Sequence, residues 1–445
     1  MATTHASTTT DGISKNFTVP GLDSTMRSLA RLVATILLLL GLCALPPDLL
    51  ADESRGIATT THENEPEEAP ADDKAATGKG SKDGLGITLE SSDQRFAINA
   101  WLRSQIRYSD PFTSDPRSLE QFDRPSDSEL EIRRVRLKLR GHIFNPKIGY
   151  YFEHELSGDR PLLDLRLDVS LRDDIQMRIG QYKVLYNRER VDSSGHQQFV
   201  ERSISTYAFT LDRQVGATVT KSWAAGTRFD NRLMLGLFEG GGRDGGPTGD
   251  DPMLVGRWQW QFLGRDLPFS QSDLLFRDAP AATLAFGASR VRGPYTRFSI
   301  SGGGQIEGFE AGSDNRYTLR QWLQESAWHY KGMSIQQEFH IKEITDHDES
   351  TDSMLTGGYI QFGKAWPVVW GKRNAAWELA IRFARVDWDV PTLDQTQDEV
   401  ALATNLFLAG HSNKLSADVS RISLAGDSGS RKSEMRLRLQ WDFSF

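Results

Sequence analysis

The sequence predicts an all-β fold, a transmembrane antiparallel β-barrel of about 16 strands, on three observations. Apolar and charged residues alternate with period two in segment after segment from residue 93 onward. Several of these runs reach 9–13 residues, long enough to cross a bilayer at a tilt. The last of them ends on aromatic residues. Composition agrees: 445 residues carry 39 Gly, 22 Phe, 11 Trp and 10 Tyr but only 38 % hydrophobic residues, which suits strands, turns and interfacial aromatic belts and excludes a bundle of membrane helices.

The chain divides into three parts. Residues 1–51 read as a signal-peptide region. Its apolar run from Leu32 to Leu50 follows Met26, Arg27 and Arg31 and ends near Pro46, Pro47 and Asp48, which makes Met26 the better start and predicts cleavage after Ala44 or Ala51. The single cysteine, Cys43, leaves with that segment, so the mature chain needs no disulfide in an oxidising compartment. Residues 52–92 carry Glu63, Glu65, Glu67, Glu68, Asp72 and Asp73 among Ala, Thr, Pro and Gly, the composition of a disordered acidic periplasmic linker. Residues 93–445 form the barrel.

Within the barrel, Val135, Leu137 and Leu139 alternate with Arg134, Arg136, Lys138 and Arg140. Leu163, Leu165, Leu167, Val169 and Leu171 do the same with Asp164, Arg166, Asp168, Ser170 and Arg172. Trp377, Leu379, Ile381 and Phe383 alternate with Glu378, Ala380 and Arg382. Each is a strand with one apolar and one polar face. Alternation and turn residues place strands at 94–108, 130–142, 148–157, 162–172, 174–183, 213–223, 227–239, 252–263, 280–292, 318–330, 332–345, 352–363, 374–388, 398–409, 413–425 and 431–445. A soluble sandwich also alternates, but its strands are shorter, averaging about six residues. Apolar faces toward lipid and charged faces toward a wet lumen fit better here. An even strand number puts both barrel ends on one side, the periplasm. The long connections 109–129, 184–212, 240–251 and 293–317 then lie outside and the short ones inside, with 264–279 the exception.

A barrel of sixteen strands encloses an aqueous channel, so conduction is the expected function. The third external connection, 184–212, mixes Leu185, Tyr186, Phe199 and Val200 with charge, and is expected to fold inward and narrow the passage. Lys183, Arg188, Arg190, Arg202 and Arg213 are the candidate constriction and anion-binding residues, because guanidinium and ammonium groups recognise oxyanions. Arg134, Arg136, Lys138 and Arg140 form a candidate basic ladder along the wall. The alternative is that Arg188, Glu189, Arg190, Glu201 and Arg202 pair with one another and only brace the loop. The net charge of −8 is largely set by residues 1–92, and the barrel sums to −2.

At the chain end Met435, Leu437, Leu439, Trp441, Phe443 and Phe445 share one face. Trp441, Phe443 and Phe445 resemble the terminal aromatic signal read by the barrel assembly machinery of outer membranes.

The blocks Arg133 to Gly141, Gly149-Tyr150-Tyr151-Phe152-Glu153, Arg178 to Lys183, Phe199-Val200-Glu201-Arg202-Ser203 and Asp212 to Gly216 resemble, in order and spacing, the phosphate-selective porin O and P family. That resemblance implies a homotrimeric sixteen-stranded channel of a Gram-negative-type outer membrane, embedded in its lipid. It also implies passage of phosphate, polyphosphate or other small anions through a basic constriction. No metal site, cofactor or nucleic-acid surface is indicated: Gly302-Gly303-Gly304 lacks a phosphate-loop context, and His340, His347 and His411 lack ligand spacing. Ser193, Ser194 and His196 lie close in sequence without an orienting partner, so no enzyme is expected. The competing reading is a structural or adhesive barrel with a plugged lumen, or a non-selective porin.

Overall fold

The computed structural model describes residues 86–445 except 125, 158–160, 244–250, 300–301, 311, 372, 391–392 and 427–428. The signal-peptide region and residues 52–85 lie outside the described part. Sixteen antiparallel strands close into a ring. In chain order, after a short β1 (Ile87–Glu90), they are β2 (Ala97–Asp110), β3 (Glu129–Ile143), β4 (Asn145–Glu155), β5 (Leu162–Arg172), β6 (Ile175–Lys183), β7 (Arg213–Trp223), β8 (Asp230–Phe238), β9 (Met253–Gln261) and β10 (Ala281–Gly293). A small hairpin, β11 (Arg297–Ser299) and β12 (Gly302–Gly304), follows in a loop. The ring resumes with β13 (Tyr317–Tyr330), β14 (Met333–Asp346), β15 (Thr351–Trp370), β16 (Arg373–Val390), β17 (Leu393–Ala409), β18 (Asn413–Gly426) and β19 (Arg431–Ser444).

Every ring strand pairs with its sequence neighbour, and the seam joins β19 to β2 from Leu437↔Asp110 to Ser444↔Arg103. Phe445 and Leu102 exchange backbone hydrogen bonds of 2.9 and 3.0 Å at its end. Beyond that point β2 runs on without β19, and β1 covers the edge through Ile87↔Ala100 to Glu90↔Ala97. An uncovered edge would leave N–H and C=O groups unpaired. The linker drawn to residue 92 therefore overlaps a strand, because four residues suffice to finish this edge.

The predicted strands match the observed ones in order and number. The largest difference is in length: β15, β16 and β17 run 20, 18 and 17 residues. Pairing continues through the charged ends, such as Asp389↔Asp394, because ladder hydrogen bonds do not require apolar side chains. By contrast β4 to β9 span only 9–11 residues each, so the wall is lower on that side.

Outward positions are apolar, for example Leu165, Leu167, Leu235, Leu237, Phe362, Phe383 and Leu402, all exposed at the surface of the isolated chain. The interior departs from the expectation of charge facing water throughout. Inward positions of β14 to β18 near one rim are Ile344, Leu355, Val386, Trp388, Val390, Ile422 and Leu424, all buried in one apolar cluster with Val184, Tyr186, Ile204, Ala208, Phe209 and Leu211. Alternation identifies the inward face, but the β6–β7 loop rather than water covers much of it.

Candidate functional site: a loop held inside the barrel

The β6–β7 loop, residues 184–212, contains the single-turn helix Arg188–Val191 and the short helix Ser205–Phe209. Outside such turns its backbone N–H groups have no strand partner and must find acceptors. The wall supplies carboxylates. Glu325 accepts from Arg188 N at 2.8 Å, Glu338 from Glu189 N at 2.6 Å, Asp418 from Val200 N at 2.7 Å and Glu399 from Ile204 N at 3.1 Å. Charge-assisted bonds of this kind are roughly twice as strong as neutral ones. The Glu189 carboxylate then ties the loop to itself by accepting from Ser203 N, Ser203 Oγ and Thr206 Oγ1 at 2.7–2.8 Å.

Small wall residues admit the loop's side chains. Phe199 sits among Ala380, Ala401 and Ala403, with the Arg382 guanidinium 4.2 Å from its ring centre. A Cβ on Gly363 would lie 1.9 Å from Gln198 Nε2, so a larger residue there must displace that amide from Ser334 and Glu378, which it bonds. The tip reaches the far rim: Ser193 and Ser194 accept from Arg103 Nη1 at 3.2 and 3.1 Å, and the His196 ring lies 4.5 Å from that of His411 in the β17–β18 turn. These serine hydroxyls are thus acceptors for an arginine.

Four of the five cations singled out in the sequence come together. Arg190 pairs with Asp212, to which Arg213 also lies within 4.0 Å. Arg213 is bound mainly by Asp164 at 2.7 Å and by Glu153 at 3.5 Å. Lys183 donates to the carbonyls of Val191 and Asp192 at 3.2 and 3.4 Å. Arg202 donates to Glu189 O and to the same Asp192 O at 2.8 and 2.7 Å. Arg188 is separate. It points to the other side of the helical turn, where it bonds Gln336 at 2.9 Å and Pro268 O, with Phe269 beneath it at 5.0 Å. The residues are adjacent in sequence, but a helical turn sends positions 188 and 190 to different sides.

The basic ladder shares the inward face of β3, and its members differ in partners. Arg134 bonds Gln105 at 2.7 Å, and Arg136 bonds Glu153 and Glu155 at 2.7 and 2.8 Å. Lys138 and Arg140 both lie within 6 Å of the Trp101 ring centre. Two further arginines, Arg103 and Arg107, belong to the site. Arg103 pairs with Asp442 at 2.7 Å, and Arg107 binds Gln440, Val200 O and Glu201. Their signal was present in the alternation Arg103, Gln105, Arg107 along β2.

The loop itself is close to neutral, Arg188, Arg190 and Arg202 standing against Glu189, Asp192, Glu201 and Asp212, so its local field depends on how these groups are placed. Burial pushes the Arg202 pKa down, and neighbouring Arg190 pushes it further, to about 10, so it stays charged at neutral pH. Burial raises the pKa of Glu201, yet Arg107, Arg134, Arg133 and Arg438 outweigh it and hold the carboxyl well below its usual range. Trp441 and Phe443, with ring centres 4.7 Å apart, and Phe445 lie along one face of the last strand, Phe445 exposed. Among the described residues, no group of three or more His, Cys, Asp or Glu is placed to hold a metal ion.

A closed sixteen-strand antiparallel barrel with an inward-folded, charged loop defines a channel of the porin class. Residues 112–443 match the family described as phosphate-selective porin O and P, and the chain belongs to that family. It is therefore an outer-membrane channel protein. No curated protein matches it in sequence. Among solved structures it resembles OmpT, an outer membrane protein of Vibrio cholerae, at 10 % identity and TM-score 0.51 over 81 % of this chain and 100 % of that one. It also resembles the outer membrane channel DcaP of Acinetobacter baumannii at 11 % identity and TM-score 0.51, with the same coverage. A trimer form of OmpT aligns at 10 % identity and TM-score 0.50 over 79 % of this chain and 99 % of that one. At such identities these likenesses speak for the fold alone.

Proposed function

We propose that this channel passes small anions in preference to cations, phosphate-like oxyanions among them. The observation that carries this reading is the convergence of Lys183, Arg190, Arg202 and Arg213 at the inner loop, with Arg202 held by carbonyl oxygens rather than carboxylates. Arg190 and Arg213 are compensated by Asp212, Asp164 and Glu153, so they shape the site, whereas Arg202 sets its sign. The ladder Arg134, Arg136, Lys138 and Arg140 extends the positive lining along β3. A passing oxyanion meets fixed donors whose orientation is already set by the loop, which lowers its desolvation cost. The test is the reversal potential of the mature protein in planar bilayers under a potassium chloride gradient, followed by phosphate added as a competitor of the chloride current. Anion-signed potentials with phosphate inhibition support the reading, and cation-signed potentials reject it.

The same reading places both barrel ends in the periplasm, removes residues 1–51 as a signal peptide, and gives Trp441, Phe443 and Phe445 to recognition by the barrel assembly machinery. A homotrimer in outer-membrane lipid is proposed from the family resemblance, and OmpT has been solved in a trimer form. A second reading, a barrel whose lumen is plugged, is favoured by the burial of nearly the whole β6–β7 loop. It predicts no single-channel steps in the same bilayers.

A further inference from the structure

The β9–β10 connection, residues 262–280, is the one long connection on the rim opposite the β6–β7 loop. Its middle is not a surface loop. Phe269, Ser270, Gln271, Ser272 and Asp273 are all buried, Gln271 and Asp273 to 1 % exposure. Gln271 meets the tip of the β6–β7 loop twice: its Oε1 accepts from Gln198 N and its Nε2 donates to Gln197 Oε1, each at 2.8 Å. Gln197 Nε2 in turn donates to Glu189 O at 3.3 Å and to Asp192 Oδ2 at 3.1 Å. Glu189 O is the acceptor of Arg202 Nε. A continuous chain of hydrogen bonds therefore runs from Gln271 through Gln197 to the carbonyl that fixes Arg202. A second contact runs parallel to it, from Pro268 O and Phe269 to Arg188 at the start of the same helical turn. Ser270 and Ser272 secure the connection to the wall, through His411 Nε2 at 3.0 Å and Glu378 Oε2 at 2.9 Å.

We infer that residues 262–280 are the second jaw of the constriction, and that Gln271 is a positioning residue for ion selectivity, holding the helical turn Arg188–Val191 so that Arg202 and Lys183 face the passage in one geometry. The inference rests on the anion-channel reading above. Its physical basis is that Arg202 and Lys183 are held by main-chain oxygens of residues 189–192, so their positions follow that backbone. Glu325 of β13 and Glu338 of β14 fix the turn's N–H end, and Gln271 with Pro268 fixes its far side. Arg188 is likewise a positioning residue rather than a ligand of the permeating ion.

The test compares wild type with Gln271→Ala, Gln271→Glu and Gln197→Leu in full-length channels, with Leu275→Ala, an exposed position of the same connection, as control. Gln271→Ala is expected to lower the anion-to-cation permeability ratio about threefold and to speed amide exchange at Gln198 about tenfold, the loss of one buried hydrogen-bonded pair. Gln271→Glu keeps the acceptor for Gln198 N, and its exchange stays closer to wild type. Gln197→Leu breaks the chain from the other side with residues 262–280 intact, and reproduces the shift in ratio. Unchanged ratio and exchange in Gln271→Ala overturn the inference. So does faster exchange with an unchanged ratio, which reduces the connection to a structural brace. A wild-type channel with no anion preference fails the proposed function instead, and the second jaw then stands or falls on exchange at Gln198 and on single-channel conductance.

Discussion

The two halves of the barrel wall use the same alternation with different balances of charge. Strands β2 to β7 turn Arg103, Arg107, Arg134, Arg136, Lys138, Arg140, Arg166, Arg178 and Arg213 inward. Strands β13 to β18 turn Glu325, Glu338, Glu378, Glu399 and Asp418 inward, with Ala380, Ala401, Ala403 and Gly363 between them. On the second half four carboxylates are acceptors for main-chain N–H groups of the β6–β7 loop, and the small residues make room for it. On the first half Arg103 and Arg107 bond the loop, and Arg136 and Arg213 pair with the inward acids Glu153 and Asp164. The difference teaches that an inward polar residue is not by itself a pore residue: the second half's acids serve as a socket for the loop's N–H groups, and Lys342, Arg382 and Lys414 beside them, like Arg103 and Arg107 opposite, hold its oxygen atoms.

Breaking the socket has the largest expected effect. Gly363→Val puts a branched side chain where Gln198 Nε2 already stands, 1.9 Å from the position of a Cβ, and expels that amide from its bonds to Ser334, Glu378 and Gln361. The tip of the loop leaves the wall, and single-channel conductance rises by about twofold or more, toward that of an unobstructed barrel of this size. An unchanged conductance would show that the loop does not limit the passage. Changing the lining has a smaller effect and a different signature. Arg202→Gln removes one charge and keeps a shorter polar side chain, and its expected result is a roughly threefold to tenfold fall in anion-to-cation permeability with little change in conductance. A unit charge acting at a few ångströms in a partly wet site is worth about 1 kcal/mol or somewhat more. Reversal potentials in a salt gradient measure it.

These contrasts mark what was legible in the sequence. The ring of strands was, because a period of two with long runs has few other readings, and because turns such as Ala224-Ala225-Gly226 separate the runs. The position of 262–280 was legible only as an anomaly of length. That it enters the barrel depends on Gln271 meeting Gln197 and Gln198, a contact between segments 73 residues apart that no local pattern encodes. Among the candidate site residues, Lys183, Arg190, Arg202 and Arg213 meet because both strand ends and the loop between them converge. Arg188 could not be told from them, since its direction is set by a single helical turn and by Pro268. Glu325, Glu338, Glu399 and Asp418 were not legible as a socket, because alternation gives the face of a strand but not what lies across from it.

The socket also has a finer test. Glu338→Gln keeps an oxygen toward Glu189 N and removes the charge, so the bond survives in weaker form. The expected cost is about 1–2 kcal/mol of stability, read from the denaturant midpoint of the folded barrel. Gly363→Val moves the loop outright, whereas Glu338→Gln only loosens it, and conductance should change much less.

The smallest effect is expected where charge is removed from the lining in balanced form. Arg190 and Asp212 are both buried and paired, with Arg190 Nε 2.7 Å from Asp212 Oδ1. Replacing only Asp212 by Asn leaves the Arg190 charge buried and without its main partner, which costs about 3–5 kcal/mol in comparable buried pairs. Replacing both, Arg190→Gln with Asp212→Asn, removes one charge of each sign and leaves the net charge of the site as it was. The double variant should therefore fold and keep its permeability ratio within about twofold of wild type, while Arg202→Gln does not. If the balanced pair shifts the ratio as much as Arg202→Gln, selectivity depends on the whole charged network and not on the cations that carbonyl oxygens hold.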